Sequence, residues 1–176
     1  MAFVLQWGVI GHALWDHDRT LTTGSVHRFQ VQPIDPRDPF RGEYVILDLA
    51  AENVQDADTS ALFGANDPVY GTLGMDSSGY AIITALSKEA PEGDHVECRI
   101  EAVYSSTIRV ELPFDRYYLQ EGKGGMVESL LDMATRRDDQ AEEAYILVRV
   151  REGKGVIEDL VIGGRSVEDH LRESAP

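Results

Sequence analysis

Apolar and polar residues alternate most strictly near the middle of the chain, where Val96, Cys98, Ile100, Ala102 and Tyr104 are separated by Glu97, Arg99, Glu101 and Val103. A period of two turns one set toward a core and the other toward water, as on a half-buried β-strand. Ile108, Val110 and Leu112 repeat the pattern against Arg109 and Glu111, so the two runs predict a hairpin with Ser105-Ser106 near its tip. Val69 to Leu73 and Tyr80 to Leu86 predict a second hairpin across Gly74-Met75-Asp76-Ser77-Ser78-Gly79. Tyr145 to Val150 and Val156 to Ile162, joined by Glu152-Gly153-Lys154-Gly155, predict a third. Upstream, Phe29 and Val31 alternate with Arg28, Gln30 and Gln32, and Tyr44-Val45-Ile46-Leu47 reads as a short apolar strand.

Ala50 to Asp67 has no clear period and reads as a loop or short helix. Met126, Val127, Leu130, Leu131 and Ala134 fall at helical spacing, and the charge of Arg136-Arg137 suits the end of such a helix. Ser166 to Ser174 forms a charged tail with room for one or two helical turns. About seven to eight strands with frequent turn signals predict a mainly β (α+β) fold. Its expected form is an antiparallel sandwich or partly open barrel with one internal helix and an N-terminal apolar helix. The expected division is an apolar segment over 1–19, one β-rich domain over 20–165 and the charged tail over 166–176.

The 176 residues suffice for one core without metal or disulfide staples. The formal net charge of -15 repels phosphate backbones, so no nucleic acid is expected as a partner. Cys98, the single cysteine, cannot close an internal disulfide, and its place in an alternating row predicts a buried structural thiol.

Residues 1–15 carry no Lys, Arg, Asp or Glu and are rich in Phe, Val, Leu, Ile and Trp. A bilayer-spanning helix needs about 20 apolar residues, whereas this run stops at Asp16 and contains Gln6 and His12. No basic leader region or small-residue cleavage site precedes Arg19, which argues against a signal peptide. Two readings stay open: the C-terminal part of a membrane anchor, or a soluble amphipathic or core helix.

The most tightly specified stretch runs from Pro33 to Leu49. Pro33, Pro36 and Pro39 remove backbone donors at even spacing, excluding a helix and central sheet pairing there. Asp35, Arg37, Asp38, Arg41 and Glu43 can pair with one another or with nearby backbone, and Gly42 permits a turn before Tyr44. The plain reading is a stiff connection stitched by local ion pairs; the functional one is a ligand or partner site, narrowing to a docking surface.

The run Asp35-Pro36-Arg37-Asp38-Pro39-Phe40-Arg41-Gly42-Glu43-Tyr44-Val45-Ile46-Leu47 resembles the segment that names the GDYXXLXY protein family. Phe114-Asp115-Arg116-Tyr117-Tyr118-Leu119-Gln120-Glu121-Gly122 is similar to a second segment of that family. The likeness extends from about Leu21 to about Ile162. Glu43 stands where the family has Asp, and Leu49 stands where it has Tyr, so no role of that tyrosine transfers. The resemblance implies a bacterial protein with an N-terminal membrane anchor, a globular part outside the cytoplasm and no established activity. Were the apolar start not an anchor, a soluble cytoplasmic protein would follow. Arg116, Tyr117, Tyr118, Glu121 and Gly122 join the proline-arginine loop and Tyr44 as candidate binding residues.

Catalytic patterns are weak. His12, His17, His27, His95 and His170 accompany no G-x-S-x-G elbow. Lys88, Lys123 and Lys154 lie in turn-like settings that favour a solvated, protonated amine over a general base. Glu121-Gly122-Lys123-Gly124-Gly125 lacks the Lys-Ser or Lys-Thr register of a phosphate loop. His12, Asp16, His17 and Asp18 lack the spacing of a closed zinc site, and no cofactor is expected. The favoured class is a non-enzymatic domain docking on an integral membrane partner. The alternative is a small-molecule or peptide-binding barrel, possibly a hydrolase, walled by Tyr44, Tyr117, Tyr118 and the Arg-Asp network.

Overall fold

The computed structural model describes residues 14–32, 44–55, 63–104, 106–135 and 143–173. Among them, residues 14–23 form helix α1, followed by β1 (Ser25–Gln32), β2 (Tyr44–Ile46), β3 (Asp48–Leu49), a 3-10 turn (Ala50–Glu52) and β4 (Asn53–Val54). Then come β5 (Pro68–Met75), β6 (Ala81–Ser87), β7 (His95–Val103), β8 (Ile108–Glu111), β9 (Arg116–Tyr118) and helix α2 (Gly124–Thr135). The described chain closes with β10 (Ala144–Arg151), β11 (Lys154–Ile162), β12 (Arg165–Ser166) and helix α3 (Val167–Glu173).

One sheet has the order β12-β11-β10-β1-β3 and the other β4-β8-β7-β5-β6, while β2 and β9 pair as a separate ribbon. The chain crosses between the sheets at the 3-10 turn. A parallel bridge between Val96 and Gly153 joins them again, with the Glu97 N–H donating to the Gly153 carbonyl at 2.7 Å. The result is the expected antiparallel architecture, a nearly closed barrel-like sheet. Among the described residues seven of the twelve strands exceed three residues, and each of these falls on an alternating or apolar run read from the sequence. The other five are too short to show a period.

Burial follows the alternation that the sequence displays: β10 buries Ala144, Ile146, Val148 and Val150 and turns Tyr145, Leu147, Arg149 and Arg151 outward. Its hairpin with β11 closes through Glu152 and Gly153, at φ 50° and 81°. Two successive positive φ values between the paired Arg151 and Lys154 match the right-handed twist of the strands. Cys98 is buried, and desolvation pushes its thiol up to about 12, which removes it as a nucleophile at neutral pH.

The helices are fastened to this barrel. α2 buries Val127, Leu131 and Ala134 along one stripe, and its predicted tail Arg136-Arg137 lies outside the described residues. In α3 the Ser166 hydroxyl accepts the Glu168 N–H at 3.2 Å, a cap at the helix start, and Val167 is fully buried. α1 is joined to β1 by Gly24, whose N–H donates to the Thr20 carbonyl at 2.9 Å. Thr20 is buried, and Asp16 forms ion pairs with Lys154 and Arg151 on the β10–β11 hairpin. Among the described residues no helix is long and apolar enough to cross a membrane.

Glu52 pins the corner where the chain leaves one sheet for the other. Only 5% exposed, it accepts the Leu49 N–H at 3.2 Å and the Leu112 N–H at 3.4 Å. Arg109 stands 3.6 Å from it and reaches Asp48 at 3.0 Å, Glu101 at 2.8 Å and Asn53 at 3.4 Å. Burial pushes the Glu52 carboxyl up to about 7, against the two backbone donors and Arg109, with Asp48 adding to the rise. Burial alone would lower the Arg109 guanidinium, but Asp48, Glu101 and Glu52 hold it above its ordinary value.

Two outcomes follow for stability. A methyl group on Gly155 would lie 2.3 Å from the Phe114 ring, which itself packs edge-on against Phe29 at 5.1 Å. Gly155→Ala is therefore expected to destabilise the fold by about 1–3 kcal/mol in urea unfolding; an unchanged midpoint would show that Phe114 moves freely. The Glu52 carboxyl binds its proton more tightly when folded, near 7 against 4.5 for an unperturbed group. Its stabilising contribution is complete below about pH 4 and is lost as pH rises through about 7, a change of about 3 kcal/mol. Glu52→Gln should flatten the fall of the unfolding midpoint across that window, whereas parallel wild-type and variant curves would contradict the assignment.

Candidate functional site

The two segments that resemble family motifs meet in the β2–β9 ribbon. Tyr44 pairs with Tyr118, Val45 with Tyr117 and Ile46 with Arg116. Alternation anchors β2, because Val45 and Leu47 point inward and are buried, while Ile46 is turned out at 41% exposure. The Leu47 N–H donates to the Asp115 carbonyl at 2.7 Å, holding the end of the ribbon closed. Phe114, buried immediately before β9, ties that strand to the main core.

The outward face is aromatic. The Tyr44 and Tyr118 rings stand 5.8 Å apart at 56°, and the Arg116 guanidinium lies 5.6 Å from the Tyr44 centroid. That arrangement is a cation-π contact flanking a tilted aromatic pair. Arg116 also lies 3.7 Å from Asp115. Tyr118 is 70% exposed. Tyr117, on the opposite face, is half-buried, and burial pushes its phenol up to about 12, helped by Asp159 and Glu168. The hydroxyl stays protonated at any physiological pH and supplies no phenolate.

Of the other expected site residues, Asp35, Arg37, Asp38, Arg41, Gly42 and Glu43 lie outside the described residues. Glu121 and Gly122 occupy an exposed turn before α2, where Gly122 takes φ 81°. A positive φ explains a glycine at this position without reference to a ligand. The structure thus joins Tyr44 to Arg116, Tyr117 and Tyr118 and leaves Glu121 and Gly122 as turn residues. Sequence reasoning missed Ile46 as a surface residue. The signal was present, since Ile46 falls on the opposite parity from Val45 and Leu47.

Other clusters fail on order or environment. Asp94 accepts from the Ser25 hydroxyl at 3.3 Å and contacts His27 Nε2 at 3.0 Å. The carboxylate stands between serine and imidazole, whereas a hydrolytic triad needs the imidazole between serine and carboxylate. Lys154 pairs with Asp16, which raises its pKa and opposes service as a base. Of the His-Asp group near the N-terminus, His12 lies outside the described residues and Asp16 is engaged by Lys154 and Arg151. Among the described residues no three His, Cys, Asp or Glu side chains gather as a metal site.

Fold and ribbon together define a small acidic domain of barrel-like β architecture that carries an aromatic strip on its surface. The profile of the GDYXXLXY protein family matches residues 6–160, and the chain belongs to that family. No curated protein and no solved structure matches it.

The geometry separates the ribbon's surface from its support. Tyr118→Ala should change folding stability by less than about 0.5 kcal/mol, because the ring is mostly solvated. Leu47→Ala, which empties a buried position under the ribbon, should cost about 2–5 kcal/mol. Chemical denaturation of both variants tests this pairing, and equal losses would mean that the Tyr118 ring supports the fold.

Proposed function

We propose that this chain is a membrane-tethered, extracytoplasmic interaction domain without a catalytic role, docking on an integral membrane partner. The contact is the Tyr44–Tyr118 face of the ribbon together with the proline-arginine loop that leads into it. One observation carries the reading: two distant motif segments pair to present Tyr118, Ile46 and Arg116 outward on a strip anchored from below by Val45 and Leu47. Exposed tyrosine and arginine on a rigid support are the residues that dominate protein interfaces. The uncharged run of residues 1–15 supports the tether.

The course of β1 bears on how tether and contact combine. α1 meets β1 at Gly24, beside the β10–β11 turn, and eight residues later β1 ends at Gln32, paired with Asp48. A strand of that length spans roughly 25 Å. Gln32, the residue that precedes the proline-arginine loop in sequence, thus stands at the end of β1 away from Gly24.

Co-purification from detergent-solubilised membranes tests the reading. Truncating an aromatic anchor at an interface typically weakens binding by about tenfold or more. Tyr118→Ala and Arg116→Glu are expected to lose partners that wild type retains, while Met75→Ala, at another exposed hydrophobic position, keeps them. Identical recovery by all variants would remove the ribbon as the contact.

A further inference from the structure

α1 presents two different sides. Its start carries Leu14 at 66% and Trp15 at 55% exposure, adjacent large apolar residues facing solvent. The Arg19 guanidinium lies 5.0 Å from the Trp15 ring centroid, one helical turn on. On its other side the helix is fixed: Asp16 pairs with Lys154 and Arg151, Thr20 is buried, and the Thr20 hydroxyl donates to the Asp16 carbonyl at 2.9 Å. A methyl group at Gly24 would lie 2.5 Å from the Thr20 carbonyl, so the passage from helix to strand is too tight to act as a loose hinge.

The sequence changes character at this point. Residues 1–15 carry no charged side chain, whereas Asp16, Asp18 and Arg19 follow at once. A step from an uncharged apolar run to charge, with tryptophan at the step, is the polarity profile of a segment crossing into the headgroup layer. Indole suits that layer because its ring is apolar and its N–H is polar. An arginine stacked on the indole can keep its stem along the apolar side and its head among phosphates.

We infer that α1 enters a phospholipid surface at Trp15, with the indole at headgroup depth and Arg19 beside it in reach of lipid phosphate. This rests on the tethered reading above and adds where the surface lies relative to the folded domain. Trp15 is one residue, about 1.5 Å of helix rise, from the Asp16 that is fastened to the β10–β11 hairpin. The domain thus begins at the bilayer surface with no flexible spacer between them.

Trp7 and Trp15 are the two tryptophans of the chain, so fluorescence reports on this region alone. Full-length Trp7→Phe and Trp15→Phe variants would be reconstituted into phosphatidylcholine vesicles whose acyl chains carry bromine near the headgroup, midway, or near the chain end. Trp15, read in Trp7→Phe, is expected to shift to the blue and to be quenched most by bromine near the headgroup. Trp7, read in Trp15→Phe, is expected to be quenched most by deeper bromine. Strong quenching of Trp7 with an unshifted, unquenched Trp15 would overturn the inference and leave the tether standing. Quenching of neither would remove both. A blue-shifted Trp15 that no brominated lipid quenches would mean cover by protein, a second copy included, and would also overturn the inference, as would quenching strongest at the chain end.

Discussion

The fold depends on a carboxylate that water barely reaches. Glu52 sits at the corner where β3 turns into β4, and its two oxygens accept backbone N–H groups from Leu49 and Leu112. Leu49 ends the short edge strand β3 of one sheet and Leu112 lies just past β8 of the other, so one side chain joins backbone donors of both. Removing it would leave two buried donors unpaired, each a penalty of about 1–3 kcal/mol. Arg109 supports the corner through Asp48, Asn53 and Glu101. Ion pairs in such surroundings add little net stability, and their better-attested service is to fix one arrangement of the chain against others. The raised pKa of Glu52 indicates the same balance: desolvation exceeds the attraction of Arg109.

Two close approaches complete the enclosure. Gly155 lets the Phe114 ring approach β11 closely, and Phe114 in turn meets Phe29 of β1. The buried ring thus packs on the β11-β10-β1 sheet immediately before the chain enters β9. The ribbon is built directly on that ring, since Asp115 holds Leu47 and Arg116 follows. Support for the surface strip and closure of the core are thus consecutive in sequence.

How much of this could be read in advance depended on segment length. The β7–β8 hairpin was legible from its period of two, and β5–β6 and β10–β11 as apolar runs long enough to stand out on either side of turn residues. β3, the 3-10 turn and β4 together span Asp48–Val54, too few residues for any period, so the stretch from Ala50 read only as a loop or short helix, with no sign of the strands beside the turn. Glu52 was invisible for a second reason: a glutamate in a polar stretch gives no sign that the fold will bury it. Its role comes from Leu112, distant in sequence. The candidate site was half legible. Tyr44 and Tyr117–Tyr118 stood out as residues, but their pairing is a long-range register that no local pattern carries. The family motif found the segments without showing that they touch. Gly122, which the motif offers as a site residue, is accounted for by its backbone angle.

A ribbon supported in this way suits recognition for a physical reason. Ordering a flexible side chain at an interface costs about 0.5–1.5 kcal/mol, and ordering a loop costs more. Here Val45 and Leu47 already fix the backbone, Tyr44 leans on Tyr118, and Arg116 is held between the Tyr44 ring and Asp115. Much of the entropy that binding would otherwise remove has already been lost in folding. The same rigidity limits what the surface can do: it offers the Tyr44 and Tyr118 rings, Ile46 and one guanidinium, while Tyr117 lies on the opposite face, where burial keeps its phenol neutral. Such a surface can hold a complementary face without first having to be ordered.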